Sequence, residues 1–334
     1  MSRHTPAHGR RQHENRNHRR AAIWLSAALI VLIAAAFIAG WSGFGRRAQS
    51  DRQSQGGASS EAVSEGYGAS PGTLERSEAP AIEGKNVARM AEQRKLDALR
   101  TQLEEQLQGY RGNWQVYVAD ADSGASIAIN NHQQQAASLI KLYIMLAVFQ
   151  EMHDGHLHET RSIDELLTQM ITVSSNQSAN DLISQLGNGD DQRGFKLVND
   201  IALKYGFTQT SLNDLLYDSG THDANRKTTS SQDCGRFMTA VYDGSLVSDD
   251  ASQRMLSLLF AQTRRSKIPA GLPDGTHVAN KTGEIPGTEN DAALVYTTSG
   301  GYAITVLTQD IPDSSIAQSG IREISRMTWE SMIA

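Results

Sequence analysis

Cysteine is almost absent from this chain. Cys234 stands alone, so no internal disulfide can form and no cysteine-rich metal site can be built. An excess of charge is lacking too: the formal net charge is −6 over 334 residues, which gives no electrostatic case for a nucleic-acid partner. The apolar, aromatic and charged fractions are those of an ordinary globular protein, and the length suits one large domain or two small ones with a sizeable core. His153, His156 and His158 have a spacing that suggests a metal. In the run M-H-D-G-H-L-H, with no cysteine near, they read instead as a solvated turn at a helix end. No metal and no cofactor is expected.

One long apolar run stands out. Residues 21–41, AAIWLSAALIVLIAAAFIAGW, carry no charge, and at ~1.5 Å per residue such a helix spans a ~30 Å hydrocarbon core. Trp24 and Trp41 sit near its ends. Arg3, Arg10, Arg11, Arg16, Arg19 and Arg20 precede it against Glu14 alone, while Arg46, Arg47 and Arg52 follow. The heavier basic flank predicts a single-pass cell-membrane anchor, with residues 1–20 a cytoplasmic arm and the C-terminal body outside. The alternative is secretion after cleavage of a signal peptide, for which the run is long and the A-x-A site missing. No cysteine near its end could carry a lipid.

Residues 42–84, rich in Gly, Ser, Ala, Gln and Glu, read as a flexible tether, and residues 85–334 as the folded domain. Leu96, Leu99, Leu103 and Leu107 mark one face of a helix ending near Gly109 and Gly112. Trp114–Ala119 and Ala125–Ile129 flank Asp120-Ala-Asp-Ser-Gly124 as a hairpin. From Ser138 to about Tyr242 the pattern is helical throughout. Strands return at His277–Thr282, Ala292–Tyr296 and Tyr302–Thr308, before a last helix over about Ser315–Met332. This order predicts an α/β (α+β) domain: an antiparallel sheet covered by the first and last helices, with an all-helical lobe at about 138–242 inserted between, preceded by one transmembrane helix. The boundary between sheet and lobe is a natural cleft.

Three motifs fall along that cleft: Ser138-Leu-Ile-Lys141 opening an apolar helix, Ser174-Ser-Asn176 at a break between helices, and Lys281-Thr-Gly283 on a strand. A serine at a helix start places its Oγ where the dipole favours negative charge, and a lysine three residues on shares its face. Singly, each motif also reads as helix capping or as a solvated charge. Together and in this order they resemble the S-x-x-K, S-x-N and K-T-G set of class A β-lactamases and penicillin-recognising serine enzymes.

The resemblance, which covers about the last three-quarters of the chain, implies roles. Ser138 is the nucleophile, Lys141 takes its proton, and Ser174 shuttles a proton to the leaving nitrogen. Lys281 supplies positive charge, while Asn176 and Thr282 bind the substrate's amide and carboxylate. Gly283 lets the backbone approach, and the N–H groups of Ser138 and Glu284 hold the oxyanion. It further implies an extracytoplasmic serine hydrolase, acting as a monomeric domain on a β-lactam or a D-Ala-D-Ala-like, peptidoglycan-derived amide. A cell-wall peptidase or esterase, or a penicillin-binding or peptidoglycan-sensing protein that does not hydrolyse, remain alternatives.

The chain departs from the family pattern in three places. The stretch Thr210–Thr229, where class A enzymes carry a deacylating glutamate, contains none. Leu216 or Tyr217 stands at that place, and Asp214, Asp218 and Asp223 are the acids nearby, so slow deacylation is expected. Only 36 positions separate Ser138 from Ser174, short for the family, which predicts a more open cleft. Glu284 replaces a small or hydroxylic residue and would repel a substrate carboxylate unless Arg264, Arg265 or Lys267 compensates.

Overall fold

The computed structural model describes residues 79–218 and 226–334, with side chains from residue 86 onward. The basic arm, the apolar run 21–41 and most of the tether lie outside the described residues. Among the described residues, no helix is long and apolar enough to cross a membrane.

Helix α1 (Ala79–Leu107) buries Leu96, Leu99, Leu103 and Leu107 along the expected face. It begins six residues before the expected boundary at residue 85. Pro80 is tolerated in a first turn, and Val87 and Met90 are exposed, so these early turns carry no apolar period that would mark them as helix.

The expected hairpin forms from β1 (Asn113–Asp120) and β2 (Ser126–Ile129), in the register Ala119↔Ser126 to Val116↔Ile129. Three longer strands follow late in the chain: β6 (Val278–Ile285), β7 (Thr288–Thr297) and β8 (Gly300–Gln309). They complete an antiparallel sheet of order β2-β1-β8-β7-β6. Helix α1 and the last helix, α8 (Ser314–Met332), cover one face. There Leu99, Leu103, Ile321 and Ile324 share a core with Val116, Val118, Ile304 and Val306.

The other face carries the lobe, with α6 (Ser231–Tyr242) lying directly on β1: a Cβ on Gly235 would fall 1.9 Å from the Tyr117 ring. At the lobe's centre is α2 (Lys141–His153), buried continuously from Lys141 to Gln150, as its all-round apolar sequence requires. Around it pack α3 (Arg161–Thr172), α4 (Asn176–Leu186), α5 (Asp191–Lys204) and α7 (Asp249–Phe260). The lobe is not all-helical, which corrects the expectation. Strands β3 (Gln134–Gln135), β4 (Ser211–Leu212) and β5 (Lys227–Thr229) form a second sheet of order β3-β5-β4. At two or three residues each, they are too short to show a two-residue period.

Candidate active site

Ser138 sits in a 3-10 turn, Ala137–Ile140, that runs straight into α2, and its hydroxyl caps nothing. The turn is held from outside. Ala136 N–H donates to Lys227 O at 2.9 Å, and Asn290 on β7 donates through Nδ2 to Gln135 O at 3.0 Å and Ala136 O at 3.2 Å. Two non-glycine residues beside the reacting hydroxyls adopt left-handed backbone, Ala137 at φ +46 and Ser174 at φ +63. Each costs on the order of 1–3 kcal/mol, strain that persists only where the surroundings enforce it.

Lys141 has no exposed surface. Its Nζ lies 2.7 Å from Ser174 O, 2.7 Å from Asn176 Oδ1, 3.0 Å from Ser138 Oγ and 3.1 Å from Ser174 Oγ. The carbonyl and the amide oxygen only accept, so they claim two N–H groups. A neutral amine then has its lone pair left for a hydroxyl proton, which is what a base for Ser138 needs. Burial, with help from the Arg264 guanidinium, brings the Lys141 ammonium down to about 7 against an opposing contribution from Asp218.

Ser174 occupies the turn between α3 and α4. The bland capping role falls to its neighbour: Ser175 is the N-cap of α4 and accepts from Ser178 N–H at 3.1 Å. Ser174 Oγ is thus available to both lysines, with Lys281 Nζ at 3.0 Å on its other side. Asn176 turns Oδ1 to Lys141 and donates through Nδ2 to Asp218 Oδ1 at 2.6 Å. Asp218 forces that orientation, because a carboxylate only accepts.

Strand β6 forms the opposite wall. A Cβ on Gly283 would lie 3.0 Å from Ala136 O and 3.1 Å from Ser138 N, so glycine permits the strand to press against the nucleophile turn. This brings the backbone of Glu284 beside Ser138. Lys281 is fully buried, and burial together with Lys141, Arg264 and Lys267 holds it well below an ordinary lysine. Thr282 is 1% exposed. Glu284 meets Arg264 Nη1 at 2.9 Å and Lys267 Nζ at 3.1 Å. Arg265 instead donates to Val278 O at 3.2 Å, so of the three candidate compensators two act.

The loop after β4 carries Leu216, buried, with its backbone clamped by Asn180: Leu216 N–H donates to Oδ1 at 2.9 Å and Nδ2 donates to Leu216 O at 2.8 Å. Tyr217 hydrogen-bonds Asp214 at 3.2 Å, and Asp214 lies 3.9 Å from Lys227. Of the two loop acids among the described residues, Asp218 is hydrogen-bonded to a motif residue and Asp214 is not; Asp223 lies outside the described residues. On the far side of the lobe Glu151, Asp154 and His156 converge at the exposed end of α2, without His153 or His158.

Sequence reasoning missed Asn180, Glu289 and the Asn176–Asp218 bond. An asparagine inside helical SANDLI is a weak helix former, a signal that its side chain has other employment. Glu289 stands directly opposite Glu284 in the β6–β7 register. Like charges so placed repel, which calls for a cation between them, and Lys267 Nζ is there, 2.9 Å from Glu289.

A two-layer fold with a serine, two buried lysines and a second serine in its cleft defines a class: penicillin-recognising serine enzymes. Comparison carries this to the family. The Beta-lactamase enzyme family matches at residues 98–164 and 158–332, and the chain belongs to it. No curated protein matches. Among solved structures the chain is similar to PBP-A, at 24% identity and TM-score 0.64 over 71% of this chain and 96% of that one. It is similar to the ancestral (GNCA) class A β-lactamase at 22% identity and TM-score 0.61, over 70% and 99%. A variant of PBP-A in an acyl-enzyme complex with penicillin G has 23% identity and TM-score 0.62 over 71% and 97%. At these identities the likeness concerns the fold.

Proposed function

We propose that this protein is a membrane-tethered extracytoplasmic serine hydrolase, acylated at Ser138 by β-lactams or D-Ala-D-Ala-like amides and deacylated slowly. One observation carries the reading: the Ser138–Lys141 contact at 3.0 Å, made by a lysine whose other N–H groups are already engaged.

The Ser138 hydroxyl gives its proton to neutral Lys141 as Oγ bonds to the substrate carbonyl carbon. The oxyanion that forms is held by the N–H groups of Ser138 and Glu284. Ser174 then passes its proton to the amide nitrogen and recovers one from Lys141. The C–N bond breaks, leaving the acyl group as an ester on Ser138. Lys281, 3.0 Å from Ser174 Oγ, keeps that hydroxyl aligned.

Water must then attack the ester, and at that step the chain is poorly equipped. Leu216 or Tyr217, neither of them a carboxylate, stands where the family carries its glutamate, and Asp218 is held by Asn176. This favours the second reading, a penicillin-binding or peptidoglycan-sensing protein that remains acylated. The membrane tether rests on residues 21–41 and their arginine-rich flank. Incubation with a chromogenic cephalosporin and a fluorescent penicillin, following turnover and covalent label in parallel, separates the readings. Label with slow turnover supports the hydrolase, permanent label the sensor, and neither refutes both.

A further inference from the structure

Asn290 on β7 is fully buried, and its amide spends every hydrogen it has. The β7–β8 ladder starts at Asp291↔Val306; one residue before that pair, Asn290 Oδ1 accepts from Thr308 N–H at 2.8 Å in place of a backbone oxygen. The two Nδ2 hydrogens go to Gln135 O at 3.0 Å and Ala136 O at 3.2 Å. Carbonyls only accept and a backbone N–H only donates, so turning the amide over would lose all three bonds. Its reach has a simple origin. Asn290 stands opposite Gly283 in the β6–β7 register, so its side chain leaves the sheet on the face that the glycine leaves bare. A Cβ at Gly283 would lie 3.2 Å from that of Ala137.

What the amide grips matters more than how many bonds it makes. Ala136 O belongs to the peptide that enters Ala137, whereas Ser138 N–H belongs to the peptide that leaves it. With the first peptide pinned, the direction of Ser138 N–H is set by the two dihedrals of Ala137. At φ +46 that residue sits in left-handed backbone, which alanine avoids when nothing enforces it. Lys227 O holds Ala136 N–H from the lobe side at 2.9 Å, and Asn290 ties the same residue to the sheet. Released from the sheet, Ala137 would return to ordinary backbone and Ser138 N–H would swing away from Glu284 N–H.

We propose that Asn290 is the positioning residue of the oxyanion hole: it clamps Ala137 in left-handed backbone and thereby aims Ser138 N–H at the oxygen shared with Glu284 N–H. This rests on the serine-acylation reading above. Being buried, Asn290 acts through the turn and not on the substrate.

The test uses two variants. Asn290→Ala removes both donors; Asn290→Asp keeps the shape and the acceptor for Thr308 but sets an oxygen against the two carbonyls. Three quantities are measured: the rate of acylation by benzylpenicillin, the ester carbonyl stretch of the acyl-enzyme by difference infrared spectroscopy, and the affinity of an arylboronic acid. Boron bonds to Ser138 Oγ as the hydroxyl proton passes to Lys141, giving a tetrahedral anion with an oxygen in the hole and no amide cleavage. Both variants should acylate roughly 10²-fold more slowly, the order of one lost oxyanion donor, and bind the boronate about tenfold or more weakly. Their carbonyl stretch should move to higher wavenumber, because fewer hydrogen bonds polarise the ester. A residue that merely braces the fold would lower the amount of active protein and leave the stretch where it was.

Rescue comes from Ala137→Gly. Glycine adopts left-handed backbone without the penalty, so in that background the cost of Asn290→Ala should shrink by roughly tenfold. Slow acylation with an unmoved stretch, or an equal cost in both backgrounds, overturns the proposal and leaves the hydrolase reading standing. Absence of acylation in the wild-type protein refutes β-lactam chemistry, and the boronate then decides: a loss of affinity relieved by Ala137→Gly sustains the proposal, while unmoved affinity or no binding overturns it. Failure of both Asn290 variants to fold makes the residue a brace of the sheet and overturns it as well.

Discussion

Lys141 donates to Asn176 Oδ1 at 2.7 Å, and Asn176 hands its amide on to Asp218 at 2.6 Å. The base is thereby tied to a carboxylate two links away, and the tie has a sign. Asp218 favours the ammonium form of Lys141, whereas burial and Arg264 favour the amine. Acylation requires the amine, so its rate should rise with pH through about 7 and level off above it. Asp218→Asn removes the stabilising charge and should move this limb to lower pH by roughly a few tenths of a unit, small because Asp218 is exposed to solvent. Stopped-flow acylation between pH 5 and 9 reads both effects. A limb unmoved or moved upward would show that Asp218 does not act on Lys141.

Deacylation should lag acylation, so a chromogenic cephalosporin should give a burst followed by a slow steady state. Leu216 lies in a loop whose backbone is clamped by Asn180, which fixes the position from which a side chain there would project. Leu216→Glu should speed the steady state by roughly 10²-fold, the lower end of what a placed general base contributes. Fast, burst-free turnover by the unmodified protein would show that another group already activates water.

What could be read from sequence followed from how local the signal was. The β1–β2 hairpin announces itself through alternation around Gly124, and Ser138 and Lys141 belong to one helical turn. The Asn176–Asp218 bond joins residues 42 positions apart, and no periodicity links them. The small sheet of β3, β4 and β5 is carried by pairs such as Ser211–Thr228, whose hydroxyls meet at 2.9 Å. In sequence those residues look like a threonine-rich loop. The start of α1 has no apolar period in the sequence, Val87 and Met90 being exposed, and the Glu284–Lys267–Glu289 cluster takes its cation from outside the hairpin.

Stability should carry the mark of the buried base. Folded Lys141 titrates near 7 against 10.5 for an ordinary lysine, so between these values the unfolded chain binds a proton that the folded one lacks. Stability then rises with pH across this window, by up to ~1.4 kcal/mol per pH unit from this group. Below pH 7 both states are protonated and the contribution is constant. Lys141→Met should flatten the slope of unfolding free energy measured in urea at pH 7.5 and 8.5. Equal slopes in the two proteins would place the Lys141 titration elsewhere.

The folded unit should not need the N-terminal residues. A chain from Glu75 to Ala334, the compact unit of the fold, should unfold in one cooperative step, and so should one starting at Lys85, which keeps Leu96, Leu99, Leu103 and Leu107. Within it, Leu103→Ala should cost about 2–5 kcal/mol, measured by urea denaturation. Loss of cooperativity on removing residues 1–74 would contradict the boundary.

The most direct measurement is intact-mass and peptide-mapping spectrometry after brief exposure to benzylpenicillin at pH 8. The wild-type protein should gain the mass of one whole penicillin on the peptide containing Ser138. Ser138→Ala should gain nothing, and Lys141→Ala should label roughly 10²–10⁴ times more slowly. Label that survives Ser138→Ala, or that maps to any other residue, would contradict the assignment of Ser138 as the nucleophile.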